Sequence, residues 1–141
     1  MTREEQIYSE VNAAGQCGLL KGSEDRVELM DMFFTPKGME FCTTHNLPSL
    51  EAFRRFRGKQ AEHSGFYIDT PVKARNLPCV ALIGNETVAE LEFTETKGFM
   101  VVLMHGAKAK ITASGYAVVF ITNAGGGEVE LVQRDNAIIN T

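Results

Sequence analysis

The side chains that could do chemistry are few and widely spaced. Glu90 and Glu92, and again Glu128 and Glu130, are i,i+2 pairs inside segments that read as strands. Alternation along a strand puts both members of such a pair on one face, about 7 Å apart. Paired carboxylates at that separation suit glycoside hydrolysis. A solvated strand face gives the same pattern, and no aromatic-lined cleft is evident around either pair. His105 stands between an apolar run and Gly106, at a turn where it could act as a ligand or general base, or simply occupy a corner. His45 and His63 read as helix-exit residues, and none of the three histidines belongs to a zinc-binding spacing. Arg54, Arg55, Arg57 and Lys59 form the one basic cluster. It could touch nucleic acid, or it is a solvated helix face. Gly125-Gly126-Gly127 lacks the lysine and the following helix of a phosphate-binding loop. No catalytic residue, metal ligand or cofactor is assigned from these patterns.

The elements that would hold these residues change character near residue 64. Before it the period is helical. Glu4–Ala14 places Ile7, Val11 and Ala14 on one face, with Gly15 as a stop. Ser23 reads as the N-cap of a helix over Glu24–Phe34, with Val27, Met30, Phe33 and Phe34 inward. Thr35-Pro36 opens a short helix to about Thr44. Ser49 caps another from Leu50 to about Glu62, with Leu50, Phe53 and Phe56 buried and Glu51–Arg55 as an i,i+4 pair.

After residue 64 the chain repeats. Cys79–Ile83, Met100–Met104, Ala117–Ile121 and the truncated Ala137–Asn140 are apolar runs at steps of 21, 17 and 20 residues. Between them lie Val88–Phe93, Ala107–Thr112 and Glu128–Val132, which alternate apolar and polar residues. The first set suits strands covered on both faces and the second suits strands with one wet face. Two strands in about 20 residues, with Gly84, Gly106 and Gly125–Gly127 at corners, predict a β-solenoid of three coils and a fragment. The fold class expected is therefore α+β: helices over residues 1–64 packed on or capping a short solenoid over 65–141, in one compact unit. An antiparallel sandwich or jelly roll is the competing arrangement. The open C-terminal end, or a flat outer strand face, is expected to be covered by a second subunit.

Composition limits the function classes. The chain has 141 residues, 44% of them hydrophobic and 23% charged, with a net charge of −4. That is not the makeup of a disordered chain, and an acidic balance speaks against a general nucleic-acid binder. Both halves carry −2 and no Pro/Ser-rich linker divides them. The longest apolar runs fall far short of the roughly 18 residues of a membrane span. Met1–Gln6 lacks the apolar stretch of a signal peptide. Cys17, Cys42 and Cys79 are odd in number and widely spread, which argues against a disulfide framework and for a reducing, cytoplasmic setting.

Leu47–Phe56, Gly65–Asp69, His105–Ala109 and Ala113–Val119 resemble segments of small, uncharacterised proteins of gut Bacteroidales, often associated with phage or other mobile DNA. The resemblance covers roughly residues 35–141 and implies fold and source, with no activity attached. The expected role is a non-enzymatic structural or protein-binding module, with a protein partner or a homo-oligomer and no membrane contact. The alternative is a carbohydrate-binding or carbohydrate-active protein using the glutamate-bearing strands.

Overall fold

The computed structural model describes residues 1–15 and 19–141, so Cys17 lies outside it. Among the described residues five helices precede nine strands: α1 (Arg3–Ala13), α2 (Arg26–Phe33), α3 (Pro36–His45), α4 (Leu50–Arg54), α5 (Lys59–His63), β1 (Phe66–Ile68), β2 (Val72–Arg75), β3 (Cys79–Ile83), β4 (Val88–Phe93), β5 (Gly98–Met104), β6 (Lys108–Ala113), β7 (Val118–Asn123), β8 (Glu128–Gln133) and β9 (Ile138–Asn140). Odd-numbered strands form one sheet in the order β1-β3-β5-β7-β9, and even-numbered strands a second in the order β2-β4-β6-β8. Every pairing is parallel. Strands that alternate between two parallel sheets make a solenoid, and a jelly roll or antiparallel sandwich would need antiparallel ladders.

The register is more regular than the sequence pattern suggests. Cys79 lies opposite Met100, a step of 21, but Met100 lies opposite Phe120 and Val118 opposite Ile138, both steps of 20. A step of 17 would align Lys97-Gly98-Phe99 with Ser114-Gly115-Tyr116, but Gly98 pairs with Val118. These glycines do different jobs. Gly98 sits inside β5 opposite Val118, whereas Gly115 turns a corner with φ +65°.

Two apolar layers hold the molecule together. Val80, Leu82, Leu91, Phe93, Phe99, Val101, Leu103, Ile111 and Val119 fill the space between the sheets. Phe93 and Phe99 touch there with ring centroids 4.6 Å apart. The alternate residues of β1, β3 and β5, namely Phe66, Ile68, Ala81, Ile83, Val102 and Met104, point the other way and pack against the helices. This explains the nearly continuous apolar runs: both faces are covered. Fully burying one such aliphatic side chain is worth about 1.5–3 kcal/mol. The helices thus lie on the flank of the odd-strand sheet.

Local chemistry sets the helix ends. Thr2 caps α1 in a capping box with Glu5. Asp25, not Ser23, caps α2, because Glu28 stands three residues on and accepts from the Asp25 amide. Counting three residues from Ser23 reaches Arg26, which cannot close the box. Val27, expected inward, is exposed. Thr35 and Ser49 cap α3 and α4 as expected. The helix expected from Leu50 to Glu62 is two, α4 and α5, broken before Gly58, whose φ of +141° no other residue adopts readily. Gly38 in α3 lies against the α2 backbone, and a Cβ there would collide with the Met32 carbonyl.

Candidate functional site

Three of the left-handed corner residues stack in one column. Ile68, Ile83 and Met104 are in register, and each is followed by a residue of positive φ: Asp69 (+49°), Gly84 (+97°) and His105 (+56°). Glycine is the natural occupant of such a position. Its missing side chain is used here, because Asp69 Oδ1 takes the space a Cβ on Gly84 would fill. Asp69 Oδ2 accepts from Arg54 Nε at 2.5 Å. The aspartate side chain is nearly buried and the arginine half exposed. Asp69 Oδ1 is buried and accepts no hydrogen bond. His105 Nε2 lies 2.8 Å from the Pro48 carbonyl, to which it donates, and its ring meets the edge of Phe53 at 5.8 Å. The column is therefore a seam that fastens α4 to the solenoid corners.

The structure disperses the basic cluster. Arg54 is committed to Asp69, and Arg55 donates to the carbonyls of Met1 and Thr2 and to Gln6 Oε1. Glu51, expected to pair with Arg55, is not its partner among the described hydrogen bonds. Arg57 is exposed in the break before Gly58, and Lys59 begins α5. No single helix face carries all four cations.

The glutamates lie in a charge ladder across the outer face of the even-strand sheet. Lys73, Glu90, Lys110 and Glu130 follow one another from β2 to β8. Beside that row run Arg75 and Glu92, and on its other side Lys108 and Glu128. Basic and acidic strands alternate. The Arg75 guanidinium contacts both Glu92 oxygens at 3.2 Å. Glu90 and Glu92 share a face as expected, but each carboxylate is flanked by a cation and sits on an open surface without aromatic residues. Opposite charges across strands are worth roughly 0.2–1 kcal/mol each, and exposure places these at the lower end.

The remaining candidates have structural occupations. His45 packs on the Phe41 ring at 4.9 Å, and His63 ends α5. Burial pushes the Cys42 thiol up to about 12, and burial raises Cys79 as well. Both are thereby poorer nucleophiles. In the triple-glycine corner Asn123 Oδ1 accepts from the Gly125 and Gly127 amides at 3.3 Å, and Asn123 Nδ2 donates to the Gly127 carbonyl at 2.8 Å. Those amides, which a phosphate-binding loop would offer to an anion, are already engaged. Among the described residues no group of three or more His, Cys, Asp or Glu side chains is placed to hold a metal ion. No helix among them is long and apolar enough to cross a membrane.

Two features escape the sequence patterns, and a third gives residues to an expected one. Asp69 is one. Its signal is an aspartate directly after a strand, at the place where the next coil has glycine. Glu24 is the second. It is buried, and its carboxylate accepts from the amides of Lys21, Gly22 and Ser23 at 2.8–3.1 Å, while Tyr8 Oη donates to its carbonyl at 2.5 Å. Burial alone would raise this carboxyl, but the backbone donors outweigh it and hold the group below its ordinary value. The third is the open outer strand face expected near the C-terminal end, which lies on the uncovered part of the odd-strand sheet. Phe120 and Ile138, on the outer faces of β7 and β9, are 49% and 50% exposed, and Val118 lies opposite Ile138. At the adjoining open end Leu131 of β8 is 41% exposed, although its in-register neighbour Ile111 is fully buried. No protein-family model, curated protein or solved structure matches the chain.

Proposed function

We propose that the chain is a non-enzymatic protein-binding module whose binding surface is its last coil. The observation that carries this reading is the uneven cover of one sheet. The helices bury Phe66, Ile68, Ala81, Ile83, Val102 and Met104 on the outer faces of β1, β3 and β5, and leave Phe120 and Ile138 of β7 and β9 in solvent. Contiguous exposed apolar side chains on a rigid sheet are what protein interfaces use. A repeat scaffold keeps such a surface flat and preformed, which lowers the ordering cost of binding. The charge ladder supports the same reading, because it occupies Glu90 and Glu92 with lateral neighbours. A cytoplasmic setting and a phage or mobile-element source belong to the proposal, resting on cysteine usage and on the sequence resemblance respectively.

A photo-crosslinking residue at position 120, irradiated in cells, tests the surface directly. The expected result is one discrete adduct, identified by mass spectrometry, that reforms with the purified partner and is lost in Ile138→Asp. Labelling no different from that of a probe at Lys59 would remove the last coil as the binding surface.

A further inference from the structure

We propose that the free edge of β8 is a two-fold self-association site, in which two copies pair their β8 strands antiparallel about Leu131. The proposal goes beyond the outer-face reading: it concerns the strand edge at the end of the same coil and takes a second copy of this chain as its occupant.

Backbone geometry comes first. The Glu128 and Arg134 amides donate to the Ala107 and Ala113 carbonyls. In a parallel ladder alternate residues point both N–H and C=O to the same neighbour. The even-numbered residues of β8 therefore face β6, and Val129, Leu131 and Gln133 turn their amide and carbonyl groups to the open edge. An edge of this kind pairs with any strand that offers the matching groups. A second β8, run antiparallel and centred on Leu131, places Leu131 opposite Leu131 and Val129 opposite Gln133, all with edge-facing groups.

Charge then selects the occupant. The segment Glu128-Val129-Glu130-Leu131-Val132-Gln133-Arg134 is electrostatically self-complementary about its centre. In this register Glu128 faces Arg134 of the other copy, twice by symmetry, and Glu130 faces Val132. Centring on Glu130 would set like charges directly opposite, which is unfavourable. Centring on Val132 would shorten the overlap and put Leu131 against Gln133. The central register also buries the exposed Leu131 against its own copy, and the pairing is isologous and closes as a dimer. Stacking on the other end of the solenoid has less to offer. There Val72 is buried, and Tyr67 and Leu77 already pack against the interior. The acidic outer residues Glu128 and Glu130 remain a barrier to strands that cannot supply a cation at the right rung.

Sedimentation and light scattering on the wild type and on charge-reversed variants test the proposal. The wild type is expected to reach twice the 15.5 kDa chain mass at micromolar concentration. Glu128→Arg and Arg134→Glu should each weaken the dimer at least about tenfold, since each sets two like-charge pairs face to face. The double reversal should restore it. All these positions are exposed, and an unchanged urea transition confirms that the variants are folded. A wild type that stays monomeric overturns self-pairing, as does a dimer indifferent to both single reversals. Sensitivity to Glu130→Arg in place of Glu128→Arg overturns this register. A monomer that still forms the position-120 adduct with another protein sinks only the self-pairing. A rescued dimer with no such adduct sinks only the outer-face reading.

Discussion

The odd-strand sheet contains two regions built by the same rule and finished differently. In β3 and β5 the outward residues Ala81, Ile83, Val102 and Met104 are at most 1% exposed, because α1 to α4 supply Ile7, Val11, Phe33, Phe41 and Phe53 to cover them. On β7 and β9 the outer face carries Val118, Phe120 and Ile138, in the rows that start at Gly98 and at Cys79 and Met100, and there the cover stops. The strands differ little in sequence character. What differs is the neighbouring layer, so the lesson is that strand pattern reports sheet membership, while burial of the outer row depends on how far the helices reach. The outer row that is half-buried at Met100 in one coil is exposed at Phe120 in the next.

Charge insertion should separate the two regions most strongly. Val102→Asp buries an unpaired carboxylate between sheet and helices and is expected to cost more than about 4 kcal/mol, enough to unfold much of the population. Phe120→Asp, one coil away in the same sheet, is expected to stay within about 1 kcal/mol of the wild type, near the usual range for surface substitutions. Urea unfolding followed by circular dichroism reads both. Equal losses would erase the distinction between the two regions. Truncation should give a smaller version of the same contrast. Ile83→Ala is expected to cost about 2–5 kcal/mol through lost burial and the cavity left behind, and Ile138→Ala less than about 1 kcal/mol.

How much of this was legible depended on whether a residue's role is local. Thr35-Pro36 and Ser49 announced their helices because capping needs only a few neighbouring residues. The strand sets were legible for the same reason, as alternation is a property of a short segment. Register was not. Gly98 and Gly115 look alike in sequence, yet one is inside β5 and the other turns a corner, and only the opposing strand tells them apart. The break at Gly58 also has a distant companion, since Arg55 leaves its own helix to bind the start of α1. Of the candidate residues, His105 and Arg54 meet at the corner seam through Asp69, Pro48 and Phe53, all beyond the reach of spacing rules. The glutamate pairs were correctly placed on one face, but the Lys and Arg beside them come from strands 17 to 20 residues away.

The attachment of the helical layer offers finer tests of the same contrast. Gly38→Ala forces a Cβ into the Met32 carbonyl, so α2 and α3 must part or shift, at an expected cost of about 1–3 kcal/mol. Arg54→Met removes the cation paired with the nearly buried Asp69. Half the arginine is in solvent, so screening keeps the expected loss small, below that of Gly38→Ala. The smallest effect concerns pH. Glu24 is held below its ordinary value of 4.5 in the fold. Its contribution is therefore present above the unfolded value and fades as pH falls through the lowered folded one. Glu24→Gln should flatten the acid limb of the stability curve below about pH 5 while leaving its shape near neutrality unchanged. An acid limb as steep as that of the wild type would show that the three loop amides do not tie the carboxylate to the fold.

Hydrogen exchange of individual backbone amides, measured across a range of protein concentration, tests most directly whether the helices close one part of the solenoid and leave the last coil open. The amides of β3 and β5 should be strongly protected at every concentration. Those of Val129, Leu131 and Gln133 should exchange quickly when the protein is dilute and gain protection as it is concentrated. Protection at Leu131 that already matches Leu103 in dilute solution, or that never changes with concentration, would contradict an open and self-pairing edge.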